Sequence, residues 1–176
     1  DSIFPGQSTA AVALGGLRWD WRPVMWAVAI VTMLVGAIVA LTQNDIKRML
    51  AYSAVANAGF MLIGVLATNQ AGLSSTMFYV LAYGFSTLGA FAIVGLVRDS
   101  AGEATRISQW AGLGKTSPLV ASAMAIMLLA FTGIPLTSGF TSKLLIFEAG
   151  IEGGAAPVVV VGVIASVIAA FIYIRV

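Results

Sequence analysis

Ala130-Phe131-Thr132-Gly133-Ile134-Pro135-Leu136-Thr137-Ser138-Gly139-Phe140-Thr141-Ser142-Lys143 forms the middle of an apolar stretch running from residue 118 to 149. As one straight helix rising 1.5 Å per residue, that stretch would reach roughly 48 Å, against a bilayer hydrocarbon core of about 30 Å. Gly133-Ile134-Pro135 lies inside it. Proline removes a backbone donor and clashes with the preceding turn, so the spacing predicts two half-helices joined near residues 132–138, broken at Gly133 and Pro135. Non-helical backbone at membrane depth survives only inside protein or beside water. Lys143 follows the break closely and is itself inside the stretch. An ionisable side chain there is costly and faces a protein interior or a water-filled path. The plainer alternative is a lysine that snorkels to the nearer headgroups. The hydroxyls of Thr132, Thr137, Ser138, Thr141 and Ser142 favour the interior reading, because they can hold water or satisfy the freed backbone groups.

The rest of the chain extends this membrane reading. Of 176 residues, 60% are hydrophobic and 9% charged, against roughly 25% charged in an ordinary soluble domain. Mean hydropathy is +1.00. The net charge of +2 is too small, and its basic residues too scattered, to argue for nucleic acid. Cys and His are both absent, which excludes zinc sites, cysteine-ligated clusters, histidine-ligated haem and His-based acid–base catalysis within this sequence. Continuous apolar runs of about twenty residues predict helices rather than barrel strands. The expected fold is all-α, a polytopic transmembrane bundle forming one unit. Its five spans fall at about 23–42, 49–68, 73–97, 118–149 (broken near 133–135) and 157–174.

Pro23 suits the first turn of the first span, and Trp19, Trp21 and Trp26 stand where an interfacial aromatic belt would lie. Lys47, Arg48, Arg98, Arg106, Lys115 and Arg175 fall on one side of these spans. The positive-inside rule makes loops 43–48 and 98–117 cytoplasmic and puts residue 1 outside. Asp45-Ile46-Lys47-Arg48 reads as a solvated turn that anchors this orientation. Glu148 and Glu152 are expected at the outer interface. The sequence starts at Asp1 and stops just after a span, so a piece of a longer membrane protein is expected.

Two polar stripes accompany Lys143. Tyr79, Tyr83 and Thr87 share one helix face at four-residue spacing, with Ser86 beside them, and Ser53 and Asn57 share another. Each alone reads as interhelical hydrogen-bond glue, worth about 0.6 to 2 kcal/mol per contact in membranes. Together they can line a hydrated path to Lys143. The candidate path is Lys143, Tyr83, Thr87, Ser53, Asn57, Thr141 and Ser138.

Gln43-Asn44-Asp45-Ile46-Lys47-Arg48-Met49-Leu50-Ala51-Tyr52-Ser53, with Gly59-Phe60 after it, resembles a link and helix start of the antiporter-like membrane subunits of respiratory complex I. Leu81-Ala82-Tyr83-Gly84-Phe85-Ser86-Thr87-Leu88-Gly89-Ala90-Phe91 is similar to the next helix of the subunit N branch, and residues 130–143 resemble its late broken helix. The three motifs stand in the family's order and cover the chain from about Trp26 onward. The larger subunits of the family usually carry a His-Ala-x-x-Lys motif in that second region, and Phe85 stands at that lysine's position.

The resemblance implies part of a proton path in an NADH-quinone oxidoreductase, with the outlet lysine's role carried to Lys143. The sequence offers no cofactor ligands, so no cofactor and no redox site of its own are expected in this chain. NADH, flavin, iron–sulfur clusters and quinone would sit on partner subunits, and other membrane-arm subunits and the bilayer of the bacterial plasma membrane would surround it. The family often has His where Asn57 stands, and an amide cannot titrate. Its other key charges precede the position of Asp1. A subunit of a multisubunit cation/proton antiporter, and a non-conducting structural subunit, are the competing readings.

Overall fold

In the computed structural model, residues 9–99 and 102–176 are described, with side chains from Trp21 onward; expectations placed on Asp1 and on the Trp19 side chain lie outside these. Helix α1 (Thr9–Thr42) is followed by α2 (Ile46–Leu66) and α3 (Gln70–Leu96). A small antiparallel hairpin follows, β1 (Arg98–Asp99) against β2 (Gly102–Glu103), with Arg98 opposite Glu103. A 3₁₀ turn at Ile107–Trp110 leads into the short α4 (Leu113–Thr116), then α5 (Pro118–Thr132), α6 (Ser138–Glu152) and α7 (Ala156–Ile174).

Among the described residues, Trp21–Thr42, Ile46–Leu66, Gln70–Leu96 and Ala156–Ile174 are each long and apolar enough to cross a membrane. The stretch 118–149 is divided as the sequence predicts. Its halves have 15 residues each, about 22 Å long, so neither alone matches a hydrocarbon core.

Local chemistry sets the ends. Asp45 caps α2 by accepting from Arg48 N at 3.0 Å, and Asn69 caps α3 by accepting from Gly72 N at 2.6 Å. Pro118 and Pro157 sit in first turns, where a missing N–H costs nothing. Pro23 departs from its expected place: α1 extends upstream to Thr9 and encloses it. Thr9-Ala10-Ala11-Val12-Ala13-Leu14 contains strong helix formers, and these outweigh the one hydrogen bond a proline forfeits.

Helices α1 and α2 share the most extensive contact. A Cβ on Gly36 would lie 2.5 Å from Ala56 N, so only glycine lets the two backbones approach this far. Helix α3 packs on α2, α5 and α6, and α7 packs on α1, α2, α5 and α6. Two buried clusters result. One, toward the 43–48 link, holds Ile46, Met49, Leu50, Trp110, Met124, Leu128, Phe131 and Tyr173. The other, toward the opposite end, holds Met33, Phe60, Ile63, Leu66, Tyr79, Ile146 and Val158. Trp21 and Trp26 pack against this second cluster.

The 43–48 link is more than a solvated turn. Ile46 N donates to Thr105 O at 2.8 Å, Ile107 N donates to Asn44 O at 3.0 Å, and Lys47 pairs with Glu103. Trp110 is buried and donates from Nε1 to Ala104 O at 2.8 Å. The polar stretch after α3 is therefore a folded strap docked on the link. Its partners lie some sixty residues away in sequence, which hides it from local pattern. Arg175 donates to Leu41 O at 3.0 Å and to Asn44 Oδ1 at 2.7 Å on this face. Arg22 donates to Leu66 O at 3.3 Å and also to Gly153 O, at the C-terminal ends of α2 and α6.

Candidate functional site

The break is built by Gly133. Its φ of 78° is left-handed, which a Cβ resists, and its N–H bonds back to Leu129 O and Ala130 O, ending α5. Pro135 falls in the exposed connection after the helix has already stopped. Thr137 then caps α6, accepting from Phe140 N at 3.4 Å. Gly139 brings the halves together: a Cβ there would lie 1.7 Å from Ala130 O.

Lys143, in the second turn of α6, is 6% exposed and reaches back across the break. Its Nζ donates to Phe131 O at 2.8 Å, to Thr132 O at 3.2 Å and to Ser166 Oγ on α7 at 3.2 Å. It also lies 5.3 Å from the centroid of the Phe60 ring. The carbonyls are the orphan acceptors left where α5 ends, at the negative end of its dipole. All three ammonium donors are thus used, and the side chain is buried within the bundle.

On the inner side of Lys143 lies a cavity of about 10 Å³, close to the least that admits one water. Asn57, Tyr79, Tyr83, Ser86 and Ser142 line it together with Lys143. Beyond it the hydroxyls continue. Tyr79 Oη bonds Asn57 Oδ1, Asn57 Nδ2 donates to Ser53 O at 2.8 Å, and Ser53 Oγ bonds the Tyr173 hydroxyl. Tyr79 and Tyr83 stack at 6.1 Å, and Phe131 stands 5.4 Å from both Tyr83 and Tyr173. Tyr83 packs against both apolar clusters, so the polar groups occupy the seam between them.

The structure therefore gathers Lys143, Tyr83, Ser53 and Asn57 of the expected path. Thr87, one turn beyond Tyr83, has a buried hydroxyl but does not line the cavity. Ser138 and Thr141 stand apart: both are exposed, and from their helix it is Ser142 that lines the cavity. At 3.6 residues per turn Thr141 turns away from the side that carries 142 and 143, while Ser138, one turn before Ser142, is exposed because it opens α6 next to the connection. Ser166 and Tyr173 were missing from the expected path. They lie in a run of otherwise apolar residues on α7, and only the three-dimensional packing brings them to the site. Phe85 is 75% exposed on the outer face of α3.

The geometry suits a buried, titratable amine next to a chain of amphoteric hydroxyls. The family described as NADH:quinone oxidoreductase/Mrp antiporter, transmembrane, matches residues 9–169. The chain belongs to this family. Over 94% of its length it is 70% identical to the NADH-quinone oxidoreductase subunit N of Rhodococcus opacus, of which it covers 31%. It thus spans about a third of the length of the curated relatives it matches. A chain of the Mrp complex from Dietzia sp. aligns with a TM-score of 0.82 at 30% identity, over 88% of this chain and 29% of that one. A chain of respiratory complex I from Thermus thermophilus aligns with a TM-score of 0.73 at 30% identity, over 87% of this chain and 34% of that one. Members of this family are integral membrane proteins, and the four apolar helices agree.

Proposed function

We propose that this chain forms part of a proton translocation path in the membrane arm of an NADH-quinone oxidoreductase, with Lys143 as the group that gains and loses the proton. The supporting observation is the position of Lys143 Nζ: bonded to the broken end of α5 and to Ser166 on α7, beside a small cavity that Asn57, Tyr79, Tyr83, Ser86 and Ser142 help to line. As an ammonium it donates to Phe131 O, Thr132 O and Ser166 Oγ. As a neutral amine it has one donor fewer and gains a lone pair. The Ser166 hydroxyl can serve both states, accepting from the first and donating to the second. Tyr83, Asn57, Tyr79 and Ser53 supply the inner side of the path, with Thr87 next to Tyr83. NADH, flavin, iron–sulfur clusters and quinone belong on this reading to partner subunits, so the chain takes part in an oxidoreductase without a redox site of its own. Loops 43–48 and 98–117 face the cytoplasm of a bacterial cell.

The deciding experiment is Lys143→Met in the intact complex, with proton translocation and quinone reduction both measured. Loss of translocation with assembly preserved is expected; unchanged pumping overturns the reading. The likeness to the Mrp chain supports a second reading, exchange of protons for Na⁺ or K⁺ at the same lysine. Imposed Na⁺ or K⁺ gradients that drive no proton flux in the intact complex exclude it.

A further inference from the structure

At the face opposite Arg22, a polar cavity of about 1000 Å³ opens where three apolar spans end. Thr42 closes α1, Asp45 caps α2 and Arg175 caps α7, and all three line it. Arg48 and Arg106 line it too, so three guanidinium groups share the cavity with the single carboxylate of Asp45. That carboxylate already accepts from Arg48 N as a helix cap. Neither Arg48 nor Arg106 forms an ion pair among the described residues, and both are exposed. Arg175 donates to Leu41 O and Asn44 Oδ1. A net positive pocket with one preset guanidinium and two uncommitted ones fits a tetrahedral oxyanion, which arginine grips with paired N–H donors.

Depth identifies the source of that anion. The cavity sits at the ends of membrane-spanning segments, at the level of lipid headgroups. Below it α1 and α7 pack together, and Ile38, Phe171 and Ile174 are 52%, 64% and 72% exposed, an apolar surface of the kind acyl chains cover. We propose that Arg48, Arg106 and Arg175 form a binding site for the phosphodiester headgroup of an anionic phospholipid. Basic pockets between helices on the cytoplasmic side recognise lipid phosphates in this way. The site is independent of Lys143 and of proton movement.

The test uses the full-length protein in its complex, in phosphatidylcholine nanodiscs carrying a photoactivatable phosphatidylglycerol, with crosslinked peptides mapped by mass spectrometry. Labelling of the peptides that end α1 and α7 is expected. One basic residue near a lipid surface is worth about a five-fold change in binding, so Arg106→Gln lowers labelling about five-fold and Arg48→Gln with Arg106→Gln about twenty-fold. Lys115→Gln, a basic residue outside the cavity, leaves it unchanged. Arg106→Gln alone keeps the test valid if the double variant fails to assemble, because that side chain makes no ion pair the fold requires. The proposal is overturned if the wild-type complex is not labelled there, if labelling survives the arginine substitutions, or if a phosphatidylcholine probe labels equally. Competition by excess inorganic phosphate also overturns it, since the site would then take the free ion.

Discussion

Lys143 Nζ donates to Phe131 O at 2.8 Å across the break, so the amine of one half-helix closes the last turn of the other. The same atom therefore serves as a structural clasp and as the proposed proton carrier. The two roles separate experimentally, because arginine keeps the charge and the donors but does not give up its proton.

Lys143→Arg in the intact complex is expected to assemble and to lower proton translocation by at least about ten-fold, one general acid–base step being worth 10²–10⁴ in rate. Wild-type pumping in that variant would leave Lys143 with the clasp alone.

Ser166 gives a finer test, since its hydroxyl suits both states of the amine. Ser166→Ala removes one hydrogen bond, about 1 kcal/mol, and is expected to slow translocation about five-fold. Ser166→Thr restores it. A loss that threonine does not rescue would point to packing.

Ser142→Cys reports on water at the cavity. A thiol there is expected to react with a small water-soluble reagent in the assembled complex, and more slowly when Lys143 is replaced by Met. A cysteine at 142 that stays unreactive indicates a dry site. Ser138→Cys, already on the exposed face, serves as a reference for reagent access.

Gly139→Ala drives a methyl group into Ala130 O and must part the half-helices. Overpacking of this kind costs typically 1–3 kcal/mol, and backbone has less room to yield than side chains, so about 3 kcal/mol is expected. Thermal unfolding of the detergent-solubilised protein measures it. An unchanged midpoint would mean that the halves are not tightly apposed.

The strap supplies a pH dependence. A hydrogen bond from Lys47, reinforced by its charge, holds the Glu103 carboxyl below its usual value of 4.5. A carboxyl depressed in the folded state stabilises the strap above the unfolded value and loses that contribution as pH falls below it. Both side chains are solvent-exposed, so the effect is local and weak. Amide exchange across residues 102–106 is expected to quicken as pH falls below 4.5, after correction for the intrinsic rate. Glu103→Gln abolishes that change.

Much of this architecture is written in local pattern. Apolar runs of about twenty residues mark the long spans, and an overlong run with Gly133 and Pro135 marks the break, because chain length and bilayer thickness are fixed quantities. Lys143 stands out because a charge in an apolar run has few tolerable surroundings. What the pattern does not carry is rotation of each helix about its axis. Ser138, Thr141 and Ser142 are equivalent hydroxyls in sequence, and only the close approach at Gly139 determines that Ser142 turns inward. Ser166 and Tyr173 were invisible for the same reason. The strap was invisible because Glu103 and Lys47 meet across 56 residues.

Arg22 and Arg175 tie helix ends together at opposite faces, through backbone carbonyls that do not titrate. Helices stapled at both ends resist sliding or tilting past one another. On the proposed proton path, such a frame suits a relay, H⁺ hopping along fixed oxygens and one swivelling hydroxyl, with no rocking of whole segments.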